Sequence, residues 1–220
     1  MTRPRQFDLI CFDWDGTLFD STALIARCLQ QAVVDVGGAR PTDEAAAWGI
    51  GAGLLPALAH AAPDVPPEKY RELATRYRHH YLALQNDIPL FDGVLDMLHA
   101  LRRRHHWLAV ATAKSRAGLN EVLASRELNG LFDGSRTADE TASKPSPLML
   151  SELMREFGAE PERTLMIGDT THDLQMAANA HCASVGVSYG AHQPGDFSAL
   201  APRYVAHSVA DLRRWLDECA

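Results

Sequence analysis

The chain has 220 residues, too many for one modal domain and too few for two large ones, so one core with a modest insertion is expected. Hydrophobic residues make up 46% and charged residues 22%, an ordinary globular balance that excludes a disordered or collagen-like chain. The 28 acidic residues outnumber the 21 Lys and Arg, giving a formal charge of -7, and they are scattered rather than gathered in a tail, which argues against a nucleic-acid partner.

Arg3 and Arg5 precede an apolar stretch of only about six residues, too short for the core of a signal peptide or for a membrane span. A cytoplasmic protein with no membrane partner is expected. Cys11, Cys28, Cys182 and Cys219 lie far apart with no Cys-x-x-Cys pair, so free, reduced thiols are expected.

Residues 7–12 (FDLICF) predict a short buried strand that ends at the polar turn Asp13-Trp14-Asp15-Gly16-Thr17. With Ser21 as N-cap, a helix follows up to Gly37-Gly38, carrying Leu24, Cys28, Leu29 and Ala32 on one side. Residues 41–87 show no strand pattern, are rich in Ala and Leu, and break at 48–53 and 63–67, which predicts a small all-helical insert.

The texture then changes. Helices are expected at 93–104, 115–126, 147–157, 172–180 and 209–218, and apolar strands at 107–111, 163–167 and 183–187. The basic run Arg102-Arg103-Arg104-His105-His106 reads as a solvated helix end whose cations complement the dipole. Alternation of this kind predicts an α/β fold: a doubly wound parallel sheet covered on both faces, with a core of residues 1–18 and 88–220 and a helical insert of residues 19–87.

In such a sheet, ligands collect beyond the carboxyl ends of the strands. Four polar segments fall there: Asp13 to Thr17, Thr112, Lys144-Pro145, and Gly168-Asp169-Thr170-Thr171-His172-Asp173. Four carboxylates, Asp13, Asp15, Asp169 and Asp173, would repel one another without a cation, and an all-oxygen set suits Mg²⁺. Asp13 and Asp15, two apart, would share a face if the extended chain continued. A phosphate monoester is among the slowest substrates to hydrolyse, and Mg²⁺, Lys144 and Thr112 could together neutralise a phosphoryl group. A carboxylate can attack phosphorus, and a neighbouring acid must protonate the leaving oxygen and later deprotonate water, a role that Asp15 fits.

Through these DxDGT, Thr, Lys and GDxxxD motifs, in that order, the chain resembles the haloacid dehalogenase superfamily over nearly its whole length. The resemblance implies a Rossmann-like core, Asp13 as nucleophile, Asp15 as acid/base, and Thr112 with Ala113 and Lys144 as binders of the phosphoryl oxygens. It also implies Mg²⁺ held by Asp13, Asp169 and the Asp15 carbonyl, with Asp173 supporting or ligating. The helical insert after the first motif, Asp92-Gly93-Val94, and Val187-Ser188-Tyr189-Gly190 look most like the phosphoglycolate phosphatase group. In that group the loop corresponding to residues 48–53, with Gly51, usually faces the active site and sorts substrates. Two departures are Ser146, where that group often has His, and His181, where it has Gly.

Plainer readings stand beside these. Asp169 and Asp173 are also suited to capping a helix. Lys114 reads as a solvated side chain, His172 as no ligand for a hard cation, the pairs His79-His80 and His105-His106 as no metal site, and Arg71, Arg76 and His79 as largely solvent-facing. The expected activity is that of a phosphatase on a small phosphorylated metabolite, by a monomer or homodimer. A phosphosugar mutase on the same core, or a catalytically silent binding protein, are the alternatives.

Overall fold

The computed structural model describes residues 5–85, 88–125 and 127–220. The start of the chain, the insert's border at residues 86 and 87, and the expected helix end at Arg126 lie outside them. Six parallel strands form one sheet: β1 (Leu9–Phe12), β2 (Trp107–Thr112), β3 (Gly134–Thr137), β4 (Thr164–Gly168), β5 (Ala183–Val187) and β6 (Tyr204–Ala206), in the order β3-β2-β1-β4-β5-β6. The strands alternate with helices, as the sequence pattern predicts.

Alternate strand residues feed two separate cores, as a two-residue period requires. Ile10, Phe12, Leu108, Val110, Leu165 and Ile167 pack with α5 (Val94–Arg103), α6 (Arg116–Leu123) and α9 (Val209–Cys219). Leu9, Cys11, Ala109, Ala111 and Met166 face α7 (Leu148–Phe157) and α8 (Thr171–Asn179) on the other side. Both faces being covered, the strands read as unbroken apolar runs.

Between β1 and α5 lie α1 (Thr22–Asp35), α2 (Asp43–Trp48), α3 (Leu54–Ala61) and α4 (Tyr70–Leu82). They bury a third cluster of their own, including Leu29, Val33, Leu58, Val65 and Leu73. No described helix is long and apolar enough to cross a membrane.

Three expectations need correction. β3 and β6 were not anticipated: β3 reads Gly-Ser-Arg-Thr with no apolar pattern, and β6 has three residues. Each is held by the backbone of a single neighbouring strand at a sheet edge. The basic run 102–106 is not simply a solvated end. Arg102 pairs with Asp133, Arg104 donates to the Leu216 carbonyl at 2.9 Å, and His106 is buried with Nδ1 donating to the Phe7 carbonyl at 2.9 Å.

Candidate active site

Strand register brings the motifs together. Phe12 pairs with Val110 of β2 and with Ile167 of β4, so Asp13, Thr112 and Asp169 all emerge at the same carboxyl edge. The Asp13 amide extends the ladder by one bond, donating to the Ile167 carbonyl at 2.9 Å. In this strand order the chain leaves β1 for opposite sides of the sheet, and the crevice at such a reversal is where open α/β sheets bind ligands.

Lys144, from the loop between β3 and α7, inserts its ammonium between two carboxylates. Its Nζ lies 2.6 Å from Asp13 Oδ1 and 2.6 Å from Asp173 Oδ1. All three side chains are almost wholly removed from water. Asp173 does two things at once. Its Oδ2 accepts from the Thr170 amide at 3.1 Å and the Thr170 hydroxyl at 2.7 Å, closing a capping box on α8, while Oδ1 faces Lys144. Asp169 is held from both sides, with Oδ1 accepting from the Thr17 hydroxyl at 2.9 Å and Oδ2 from the Ala191 amide at 2.7 Å. Gly16 and Gly190 let the backbone press against it, since a Cβ at either position would come within 2.2 Å of Asp169 Oδ2.

The charges do not balance. Asp13, Asp169 and Asp173 place carboxylate oxygens within 4.8 Å of one another, against one ammonium. Burial, added to by Asp173, pushes the Asp13 carboxyl above its usual range despite Lys144; burial and the charges of Asp13 and Asp173 do the same to Asp169. Burial alone would pull the Lys144 ammonium down, but Asp13 and Asp173 more than reverse this. Asp173 Oδ1 accepts no hydrogen bond in favourable geometry, although it is buried. A hard divalent cation would offset the surplus charge, and a buried all-oxygen donor set fits Mg²⁺.

Asp15 is not one of the three carboxylates whose oxygens lie within 4.8 Å of one another, and it has partners of its own. After Asp13 the chain turns, the Phe19 amide donating back to the Trp14 carbonyl and the Gly16 amide forward to the Phe19 carbonyl. Asp15 Oδ1 thereby accepts from the Ser21 hydroxyl at 2.8 Å, and Oδ2 lies 4.0 Å from Lys114 Nζ. Ser21 is consequently not a side-chain cap of α1. Lys114 is not solvated either: its side chain is 9% exposed, and Nζ donates to the Tyr81 hydroxyl of α4 at 2.8 Å. Thr112 is buried, and its Oγ1 accepts from the Lys114 amide at 3.1 Å, which fixes the turn that carries Ala113.

The loop with Gly51 packs on the core. A Cβ on Gly51 would lie 3.0 Å from Thr170 Oγ1, and one on Gly53 2.9 Å from Ser143 Oγ, and both glycines have positive φ. The Trp48 carbonyl accepts from His192 Nε2 at 3.1 Å, and the Trp48 ring meets His172 edge-on at 5.4 Å. His172 thus faces the insert. Arg71, Arg76 and His79 line a groove on the outer side of α4. Sequence reasoning missed Thr17, Ser21, Tyr81 and the Ala191 amide. Only Thr17, inside the first motif, carried a local signal.

A family model described as haloacid dehalogenase-like hydrolase matches residues 10–187. The chain is 31% identical over 211 residues to a phosphoglycolate phosphatase of Aliivibrio fischeri, covering 92% of this chain and 93% of that one. It is 31% identical over 210 residues to the probable phosphatase IndB of Dickeya dadantii, covering 93% and 91%. A crystal structure of a predicted phosphoglycolate phosphatase from Haemophilus somnus superposes with a TM-score of 0.84 at 27% identity, over 96% of this chain and 99% of that one. With the family model spanning most of the sheet and every motif of the crevice, the chain belongs to the haloacid dehalogenase-like hydrolases.

Proposed function

We propose that this hydrolase is a Mg²⁺-dependent phosphatase that removes the phosphoryl group of a small phosphate monoester through an aspartyl-phosphate on Asp13, with 2-phosphoglycolate as the first candidate substrate. The observation that carries the reading is the buried cluster of Asp13, Lys144, Asp169 and Asp173 at the carboxyl edge of β1 and β4. The phosphatase names of relatives that match over more than nine-tenths of the chain support it.

In this reading Asp13, Asp169 and the Asp15 carbonyl hold Mg²⁺, with Asp173 in support. The ion supplies neutralisation of the phosphoryl oxygens. Lys144 and Thr112 bind those oxygens with the backbone at Ala113, and Lys144 also keeps the Asp13 carboxylate charged and aimed. An Asp13 oxygen forms a bond to phosphorus as the bond to the leaving oxygen breaks, and Asp15 gives its proton to that oxygen. Asp15 then takes a proton from water, whose oxygen attacks phosphorus and releases inorganic phosphate and the Asp13 carboxylate. Ser21 orients Asp15 for both steps. Residues 19–87 act as a lid on the core of residues 1–18 and 88–220, and the loop with Gly51 borders the substrate.

The test is phosphate release from a panel of 2-phosphoglycolate, hexose phosphates and nucleoside monophosphates with Mg²⁺, for the native chain and for Asp13→Asn. Turnover that survives in Asp13→Asn, or isomer formation without phosphate release, would overturn the reading.

A further inference from the structure

Where α4 meets the first motif there is a second cation, Lys114, that the chemistry above does not use. Lys114 Nζ sits between Tyr81 of α4 and Asp15 of the first motif, in a side chain that is 9% exposed. An ammonium has three donors. One goes to the Tyr81 hydroxyl at 2.8 Å, and the nearest carboxylate among the described residues, Asp15, stands at 4.0 Å, beyond hydrogen-bond reach. Burial and the Asp15 charge push the Tyr81 phenol above its ordinary range, so Tyr81 remains a neutral partner. The Lys114 amide is tied to Thr112 Oγ1, so the residue that would grip the phosphoryl group and the one bearing the spare cation are locked in one turn. A largely buried ammonium with a neutral partner and unused donors is poised for an anion from outside the chain.

We propose that Lys114 is a specificity-determining residue that receives a second anionic group of the substrate, attached directly beside the leaving oxygen. This rests on the phosphatase reading. Its geometric basis is that the leaving oxygen must meet Asp15, and Lys114 Nζ lies 4.0 Å from Asp15 Oδ2. A group one or two bonds beyond the leaving oxygen falls within reach of that ammonium. A charge at the far end of a long substrate lies beyond that reach. The substrate class is therefore a small phosphate compound whose leaving group bears a carboxylate or a second phosphoryl group next to the scissile bond.

The test compares 2-phosphoglycolate and inorganic pyrophosphate with the neutral ester 2-hydroxyethyl phosphate, in the native chain, Lys114→Met and Lys114→Arg. Preference for an anionic compound in kcat/KM is expected in the native chain, and Lys114→Met should lower the anionic-over-neutral ratio by about thirty-fold, the scale of one charge-assisted hydrogen bond. Lys114→Arg should restore part of it. The two anionic arms tell carboxylate from phosphoryl recognition. An equal loss on anionic and neutral esters, or no change in the ratio, would overturn the proposal, since Lys114 would then act on Asp15 or on packing. Calorimetric binding of the same compounds to Asp13→Asn, with and without Lys114→Met, separates the two readings. If no ester is turned over but Lys114→Met still weakens anionic binding selectively, the phosphatase reading falls and the Lys114 assignment stands. If neither anionic compound binds, the assignment falls as well.

Discussion

Lys144 Nζ lies 2.6 Å from Asp13 Oδ1, and neither side chain is accessible to more than a few per cent. The pair couples the loop before α7 to the end of β1, and its ammonium also faces Asp173. Removing it would leave three buried carboxylates with no positive partner among the described residues at that point.

Lys144→Ala is therefore expected to lower kcat by at least about a hundred-fold and stability by about 3–5 kcal/mol, the usual consequence of breaking a buried pair on one side. Steady-state kinetics and denaturant unfolding, both with Mg²⁺, check the two effects. A fully active, equally stable variant would remove Lys144 from the site.

Chelation should silence turnover and Mg²⁺ should restore it. Because the folded cluster concentrates negative charge that the unfolded chain does not, Mg²⁺ at about a hundred times its Kd should add about 2.7 kcal/mol of stability. Asp169→Asn should lose most of that increment. Thermal melts at graded Mg²⁺ read the effect without reference to activity.

Gly190→Ala should displace Asp169, because the added Cβ would approach its Oδ2 to 2.2 Å. Mg²⁺ affinity should fall by about 10–100-fold, as when a ligand loses its support. Gly195→Ala is the control, since a Cβ there meets nothing within 4 Å. Titration calorimetry of both variants that gave equal affinities would discount the Asp169 clamp.

Burial lowers the His106 imidazole from 6.5 to about 4. Between those values the unfolded chain binds a proton that the folded chain refuses, so this contribution to stability is complete above about pH 6.5 and is lost as pH falls toward 4. NMR should show a neutral His106 ring at pH 5 with the proton on Nδ1, where it bonds to Phe7. A ring that titrates near 6.5 would contradict its burial.

His181 occupies the left-handed region at φ 60°, just past Ala180, the C-cap of α8. The phosphoglycolate phosphatase group has Gly there by resemblance, and Gly carries no Cβ penalty in that conformation. His181→Gly should raise stability by about 1 kcal/mol while leaving kcat within twofold, as unfolding curves and kinetics would register.

Much of the molecule was written locally. The apolar runs near residues 7–12, 107–111, 163–167 and 183–187 became β1, β2, β4 and β5. The helices between them follow their periodicity, and three of the four motifs sit at a strand end, where a chain without further apolar residues must turn, while Lys144 lies in the loop before α7. Asp13, Thr112, Lys144, Asp169 and Asp173 could be named as a set because their chemistry is unusual in a short loop. Tertiary structure alone decided the rest. β3 and β6 exist because a neighbour's backbone offers hydrogen bonds to segments with weak strand character of their own. Ser21 turns from capping α1 to Asp15, and Lys114 from solvent to Tyr81, because the turn after Asp13 and the packing of α4 over β2's exit put partners there. Periodicity reports which face of an element is buried. Which polar atom meets which depends on distances across 6 residues in one case and 33 in the other, and those are set only when the whole chain has packed.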